Sequence, residues 1–88
     1  MPNIASAKKR MRQNEVRRDR NRARRSRLRS ALRQLDEAIE AGDLEQVRER
    51  WTEAQTLLDR TAQRGVIHRN LAARKKSRLA KRIRTIGT

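Results

Sequence analysis

An all-α fold, a bundle of three helices with a long basic overhang on the first, is what this sequence of 88 residues predicts, and three observations carry that reading. Residues that favour strands are sparse, with one tryptophan and no tyrosine or phenylalanine. The only proline is Pro2, and the glycines stand at 42, 65 and 87. Between those glycines the apolar residues recur every three or four positions, the period of a helix with one buried face.

The first helix is expected over residues 6–41. Its second half supplies Leu28, Ala31, Leu32, Leu35, Ala38 and Ile39 along one stripe. Gly42 ends it, where a left-handed residue closes a helix most readily. The second helix is expected over 44–64, with Asp43 as its cap and Gln46 completing a capping-box pattern. Leu44, Val47, Trp51, Ala54 and Leu58 follow at alternating spacings of three and four, with Leu57 alongside. That register makes Trp51 a core residue rather than a base-stacking one. Gly65 closes this helix, and the third is expected over 68–86, with Ile67, Leu71, Ala72, Leu79, Ile83 and Ile86 as its stripe. Short links make neighbouring helices antiparallel.

Extended backwards, the stripe of the first helix changes character. Three- and four-residue steps from Leu28 reach Arg24 or Arg25, Asn21, Arg17 or Arg18, Asn14 and Met11. A helix of this length measures about 54 Å, against about 30 Å for the second. The first helix must therefore project past its companions, and its projection is not built to pack on protein. The whole chain reads as one domain: residues 1–27 a basic extension, residues 28–88 the bundle.

Charge gives the projection a purpose. The chain carries 25 basic and 10 acidic residues, a formal net charge of +15. Residues 1–30 hold twelve basic and two acidic side chains; residues 31–60 hold four and eight; residues 61–88 hold nine and none. A solvated surface needs mixed charge, whereas a segregated excess of one sign calls for an anionic partner. In "RRDRNRARRSRLR", residues 17–29, eight of thirteen residues are arginine and only Asp19 opposes them. Glu15 and Asp19 are placed to pair locally with Arg18 and Arg22 on the same helix. Arginine outnumbers lysine twenty to five. A guanidinium grips phosphate with two parallel hydrogen bonds, whereas an ammonium acts as a point charge.

Several function classes fall away. With no cysteine there is neither a disulfide framework nor a thiolate metal site, and the lone His68 has no second ligand beside it. Ser6, Ser26, Ser30 and Ser77 lack a base and an orienting partner, so nucleophilic catalysis has no support. No glycine-rich phosphate loop is present. No apolar run reaches membrane-spanning length, and the overhang offers only Met11, Val16 and Ala23 as an apolar face, too little for an interfacial membrane helix. "NRARRSR", residues 21–27, is similar to the basic region of leucine-zipper factors, but after Leu28 and Leu35 the next heptad position is Gly42, where the helix stops. The near absence of aromatic residues excludes a base-stacking sheet. What remains is folded RNA gripped through its phosphates, by the overhang and by a second cluster, "HRNLAARKKSRLAKR", residues 68–82. Helix three begins with that cluster, where free N–H groups also favour an anion.

These residues together resemble a known family. The opening "MPNIASAKKRMRQNE", Asn21 with the following "SRLR", the "AGD" turn and above all "GVIHRNLAARKKSRLAKRI" are similar, in order and spacing, to bacterial small-subunit ribosomal protein number twenty. The resemblance spans almost the full chain. It implies a three-helix protein of the cytoplasmic ribosome that binds small-subunit ribosomal RNA directly and stabilises the subunit during assembly. It implies no enzymatic activity, cofactor, metal, membrane or small-molecule substrate, no homo-oligomer, and other small-subunit components as neighbours. It also implies that Lys8, Lys9, Arg10, Asn21, Ser26, His68, Asn70, Arg74, Lys75, Ser77 and Arg78 face RNA. Arg12, Arg17, Arg18, Arg24, Arg25, Arg69 and Lys76, from the same two basic clusters, complete the candidate set. For His68, spacing alone fits a polar turn residue and a phosphate donor equally; the resemblance favours the donor. Residues 1–24, lacking a core, are expected to fray until RNA orders them.

Overall fold

The computed structural model describes residues 4–87 and contains three helices: α1, Ile4–Ala41; α2, Leu44–Gln63; and α3, Arg69–Gly87. The expected helices are present with ends displaced by one or two residues, and Met1–Asn3 of the quoted opening lie outside the described part. α1 and α2 form the principal antiparallel pair, and α3 packs chiefly on α2. α3 runs parallel to α1, since Ala72 near its start shares a core layer with Leu28 and Leu58, while Leu79 further along shares one with Leu35.

The two glycine turns use one device. Gly42 has φ of +70° and Gly65 of +74°, a region that side chains with a Cβ avoid. At the first turn the N–H groups of Gly42 and Asp43 donate to the carbonyls of Ile39 (3.1 Å) and Ala38 (3.3 Å). At the second, Gly65 and Val66 donate to Ala62 and Thr61, each at 3.0 Å. Both are Schellman closures, which satisfy carbonyls that a helix end otherwise leaves unpaired. Asp43 then serves α2, its carboxylate accepting the N–H of Gln46 at 3.3 Å. Only this half of the expected capping box forms, because the N–H of Asp43 is already committed to the Ala38 carbonyl. A Cβ on Gly65 would meet nothing within 4 Å, so strain alone opposes it. Gly65→Ala is accordingly expected to lower the unfolding free energy by about 1–2 kcal/mol, as read by urea titration.

The core has two layers. One joins Leu35, Ala38 and Ile39 of α1 to Val47 and Ala54 of α2 and Leu79 of α3, with Leu32, Trp51, Ile83 and Ile86 packed around it. The other joins Leu28, Leu58 and Ala72, flanked by Leu32, Leu57, Ala62 and Ile67. Leu35 and Leu58 are both 0% exposed. Two expected core residues stand outside. Leu44 is 47% exposed because, as the first residue of α2, it lies beyond the end of α1. Leu71 is 40% exposed because α3 leans on α2, leaving its α1-facing flank half open.

Leu28 is the first buried residue of α1, and every residue from 4 to 20 is exposed. The expected overhang is therefore present, as an uninterrupted continuation of the helix that spans about 30 Å at 1.5 Å per residue over residues 4–23. It accounts for an elongated molecule of 66 × 20 × 14 Å.

Candidate nucleic-acid interface

The overhang presents its cations without competitors. Lys8, Lys9, Arg10, Arg12, Arg17 and Arg18 are all exposed. No side chain between residues 6 and 20 has a hydrogen-bond or ion-pair partner among the described residues. The local pairs expected of Glu15 with Arg18 and Asp19 with Arg22 thus do not form. In water such a pair gains only a few tenths of a kcal/mol, too little to hold two long side chains in one geometry. At the root of the overhang Asn21 and Arg24 are half-buried, and Arg24 Nη1 donates to Asn21 Oδ1 at 3.4 Å. Arg25 is exposed. Ser26 lines an open groove between α1 and α2 whose walls include Ser30, Gln34, Glu49, Thr52 and Glu53.

The second cluster divides according to which neighbour each side chain of α3 faces. His68 precedes the helix, and its Nδ1 accepts the N–H of Asn70 at 3.1 Å, while its carbonyl receives those of Leu71 and Ala72. It is the cap of α3, and with Nδ1 used as acceptor the neutral ring carries its proton on Nε2, which remains a donor. The turn-residue and donor readings of His68 are therefore compatible. Arg69, Asn70 and Ser77 are exposed on the helix itself. Arg74, Lys75 and Arg78 rim a groove floored by Leu32, Leu71 and Leu79, with Asp36 on its α1 side. Lys76 differs from its neighbours: its Nζ lies 2.6 Å from Asp59 Oδ1, tying α3 to α2. Arg82 makes the corresponding tie to Asp36 of α1, also at 2.6 Å. Both pairs are solvent-exposed and contribute at most about 1 kcal/mol each.

Clusters at opposite ends of the sequence are not at opposite ends of the molecule. Because α3 runs parallel to α1, its capped start lies at the end of the bundle from which the overhang departs. The other end, around the α1–α2 turn, exposes Glu37, Glu40, Asp43 and Glu45.

One group of arginines escaped the sequence reading. Arg27, Arg60 and Arg64 join Arg24 around a cleft between α1 and α2. Arg60 and Arg64 sit four apart at the end of α2, but nothing in the sequence states which residues of α1 they face. Among the described residues there is no group of three or more acidic or histidine side chains able to hold a metal, and no helix long and apolar enough to cross a membrane.

The chain is similar to known proteins along nearly its whole length. A family model described as ribosomal protein S20 matches residues 2–84. A protein named small ribosomal subunit protein bS20 from Syntrophobacter fumaroxidans is 50% identical over 86 residues, covering 98% of this chain and all of the relative. Its namesake from Rhodopirellula baltica is 54% identical over 79 residues, 90% of this chain and 88% of the relative. The one from Xylella fastidiosa is 47% identical over 88 residues, all of this chain and 99% of the relative.

Proposed function

The chain belongs to the ribosomal protein S20 family, and from that premise we propose that it is a structural component of the small ribosomal subunit that binds the subunit's ribosomal RNA directly. Its role is architectural, with no reaction of its own. The single observation that carries direct RNA contact is the overhang: seventeen consecutive exposed residues, 4–20, whose cations have no acidic partner among the described residues. Such a helix repels itself and buries nothing, so folding of the isolated chain gains nothing from it. Set among phosphates, the same charges release condensed counterions, and that release is the main source of affinity. The overhang and the exposed side of α3 are two cationic surfaces carried by one bundle, which suits them, once RNA has ordered the overhang, to hold two RNA segments in a fixed relation. Assembly within the cytoplasmic ribosome, beside other small-subunit components, follows from the same reading.

Filter binding of the full chain to small-subunit ribosomal RNA over a range of salt tests this. With six to ten phosphates engaged, affinity is expected to fall by about 10³–10⁵ between 50 and 200 mM salt. A flat response would refute phosphate clamping. Duplex DNA that competes equally with the RNA at matched salt would point to nucleic-acid compaction instead.

A further inference from the structure

The cleft between α1 and α2 at the root of the overhang is lined by Arg24 and Arg27 of α1, by Leu57, Arg60 and Thr61 of α2 and by Arg64, which caps α2, around about 100 Å³ of space. Four arginines on two helices thus share one concavity. None of the four forms an ion pair among the described residues. Asp59, next to Arg60 in sequence, is engaged by Lys76 of α3. The cleft wall supplies no substitute, because the Thr61 hydroxyl donates to the backbone carbonyls of Leu57 and Leu58.

Helix stability explains only half of the group. Cations near the end of α2 complement its unpaired carbonyls, which accounts for Arg60 and Arg64. Arg24 and Arg27 lie within α1, three residues apart, where like charges repel one another and face two more across the cleft. Four guanidinium groups without a counter-charge are an arrangement that an incoming anion completes. The planar fork of each favours the paired oxygens of a phosphate.

The geometry points to a two-helix phosphate site, in which Arg24, Arg27, Arg60 and Arg64 together hold one phosphodiester of the RNA backbone where the overhang leaves the bundle. The inference rests on the RNA-binding reading above and adds a property that the overhang lacks. The overhang is one helix and binds through its charge alone, whereas this site exists only while α1 and α2 are paired. It therefore fixes the bundle's position on the RNA and makes capture of that phosphate depend on folding.

The test compares full-length variants by filter binding to small-subunit ribosomal RNA, with thermal melting followed by circular dichroism as the control for folding. R60A/R64A is expected to bind about tenfold more weakly at fixed salt, the loss for charged hydrogen bonds to one phosphate. The slope of log affinity against log salt should become shallower by about 0.7–0.9, one phosphate's worth. R33A/R48A removes the same charge from exposed positions outside the cleft and is expected to change affinity less than about twofold. R24Q/R27Q should match R60A/R64A, and all four changes together should weaken binding by less than the product of the two separate effects, because both pairs serve one phosphate. Should R60A/R64A melt early, R60K/R64K replaces it: charge and slope are kept, and affinity is restored only in part because the forks are gone. Equal losses from R60A/R64A and R33A/R48A, or fully multiplicative effects of the two pairs, would overturn the site while leaving RNA binding intact. Failure of the unaltered chain to bind the RNA would instead remove the reading beneath it.

Discussion

Replacing Lys8, Lys9, Arg10, Arg12, Arg17 and Arg18 together by glutamine should remove most of the affinity for small-subunit ribosomal RNA without destabilising the free protein. Glutamine keeps the helical propensity of the segment, so charge is the only property substantially changed. All six side chains are exposed and without partners among the described residues, so the bundle loses no contact. Its urea midpoint should stay level or rise slightly as repulsion along the helix is relieved, by a few tenths of a kcal/mol per pair. If each cation meets one phosphate, the salt slope becomes shallower by about four to five, so the gain in affinity between 200 and 50 mM salt shrinks about a thousandfold. Filter binding and urea titration on the same preparation read both quantities. A lowered midpoint accompanying the lost affinity would show that these residues support the fold; an unchanged slope would show that they do not touch phosphate. Amide exchange gives a third view. Residues 4–20 have no tertiary burial, and a lone helix of that length is marginal in water. Their amides should exchange almost unprotected in the free chain and slow markedly in the complex.

The boundary between overhang and bundle is legible in the sequence because it is local. The apolar stripe of α1 begins at Leu28, and that leucine is the first buried residue of the helix. Gly42, Gly65 and Asp43 are equally local signals, since a left-handed residue or a carboxylate cap acts within one turn of its own position. Properties set by packing between helices are not legible in this way. The apolar spacing of α3 admits Leu71 to its stripe, and only the lean of α3 toward α2 leaves it 40% exposed. Lys76 looks like its basic neighbours until Asp59 is found 2.6 Å away, seventeen residues earlier in the chain. The same cause hid Arg60, which belongs to a stretch where acidic residues outnumber basic ones two to one and meets Arg24 and Arg27 only through the α1–α2 register. Net charge by segment finds a cationic helix. It cannot find a cationic cleft assembled from two.

The core is small enough that one of its leucines decides whether the bundle exists. Among the described residues four of the ten buried apolar side chains are alanines, so the larger buried ones are Leu28, Leu35, Leu58, Leu79, Ile39 and Val47 alone. Leu35 is 0% exposed and belongs to a core layer drawn from all three helices. Leu35→Ala removes its packing there and leaves a cavity, which in buried sites lowers stability by about 2–5 kcal/mol. A domain of this size has about 5 kcal/mol or little more to lose. The variant should therefore be largely unfolded near physiological temperature when free, as read by urea titration and thermal melting. The RNA consequence follows from mass action. Leu35 touches no phosphate, so the apparent affinity should fall only by the fraction of chains that remain folded, while saturating RNA should restore the bundle. Because the overhang still carries its full charge, the salt slope of the apparent affinity should match that of the unaltered chain, in contrast to the glutamine variant. Weaker binding by a Leu35→Ala protein of undiminished stability would place Leu35 at the RNA surface instead of in the core, and the division of labour between bundle and overhang would have to be redrawn.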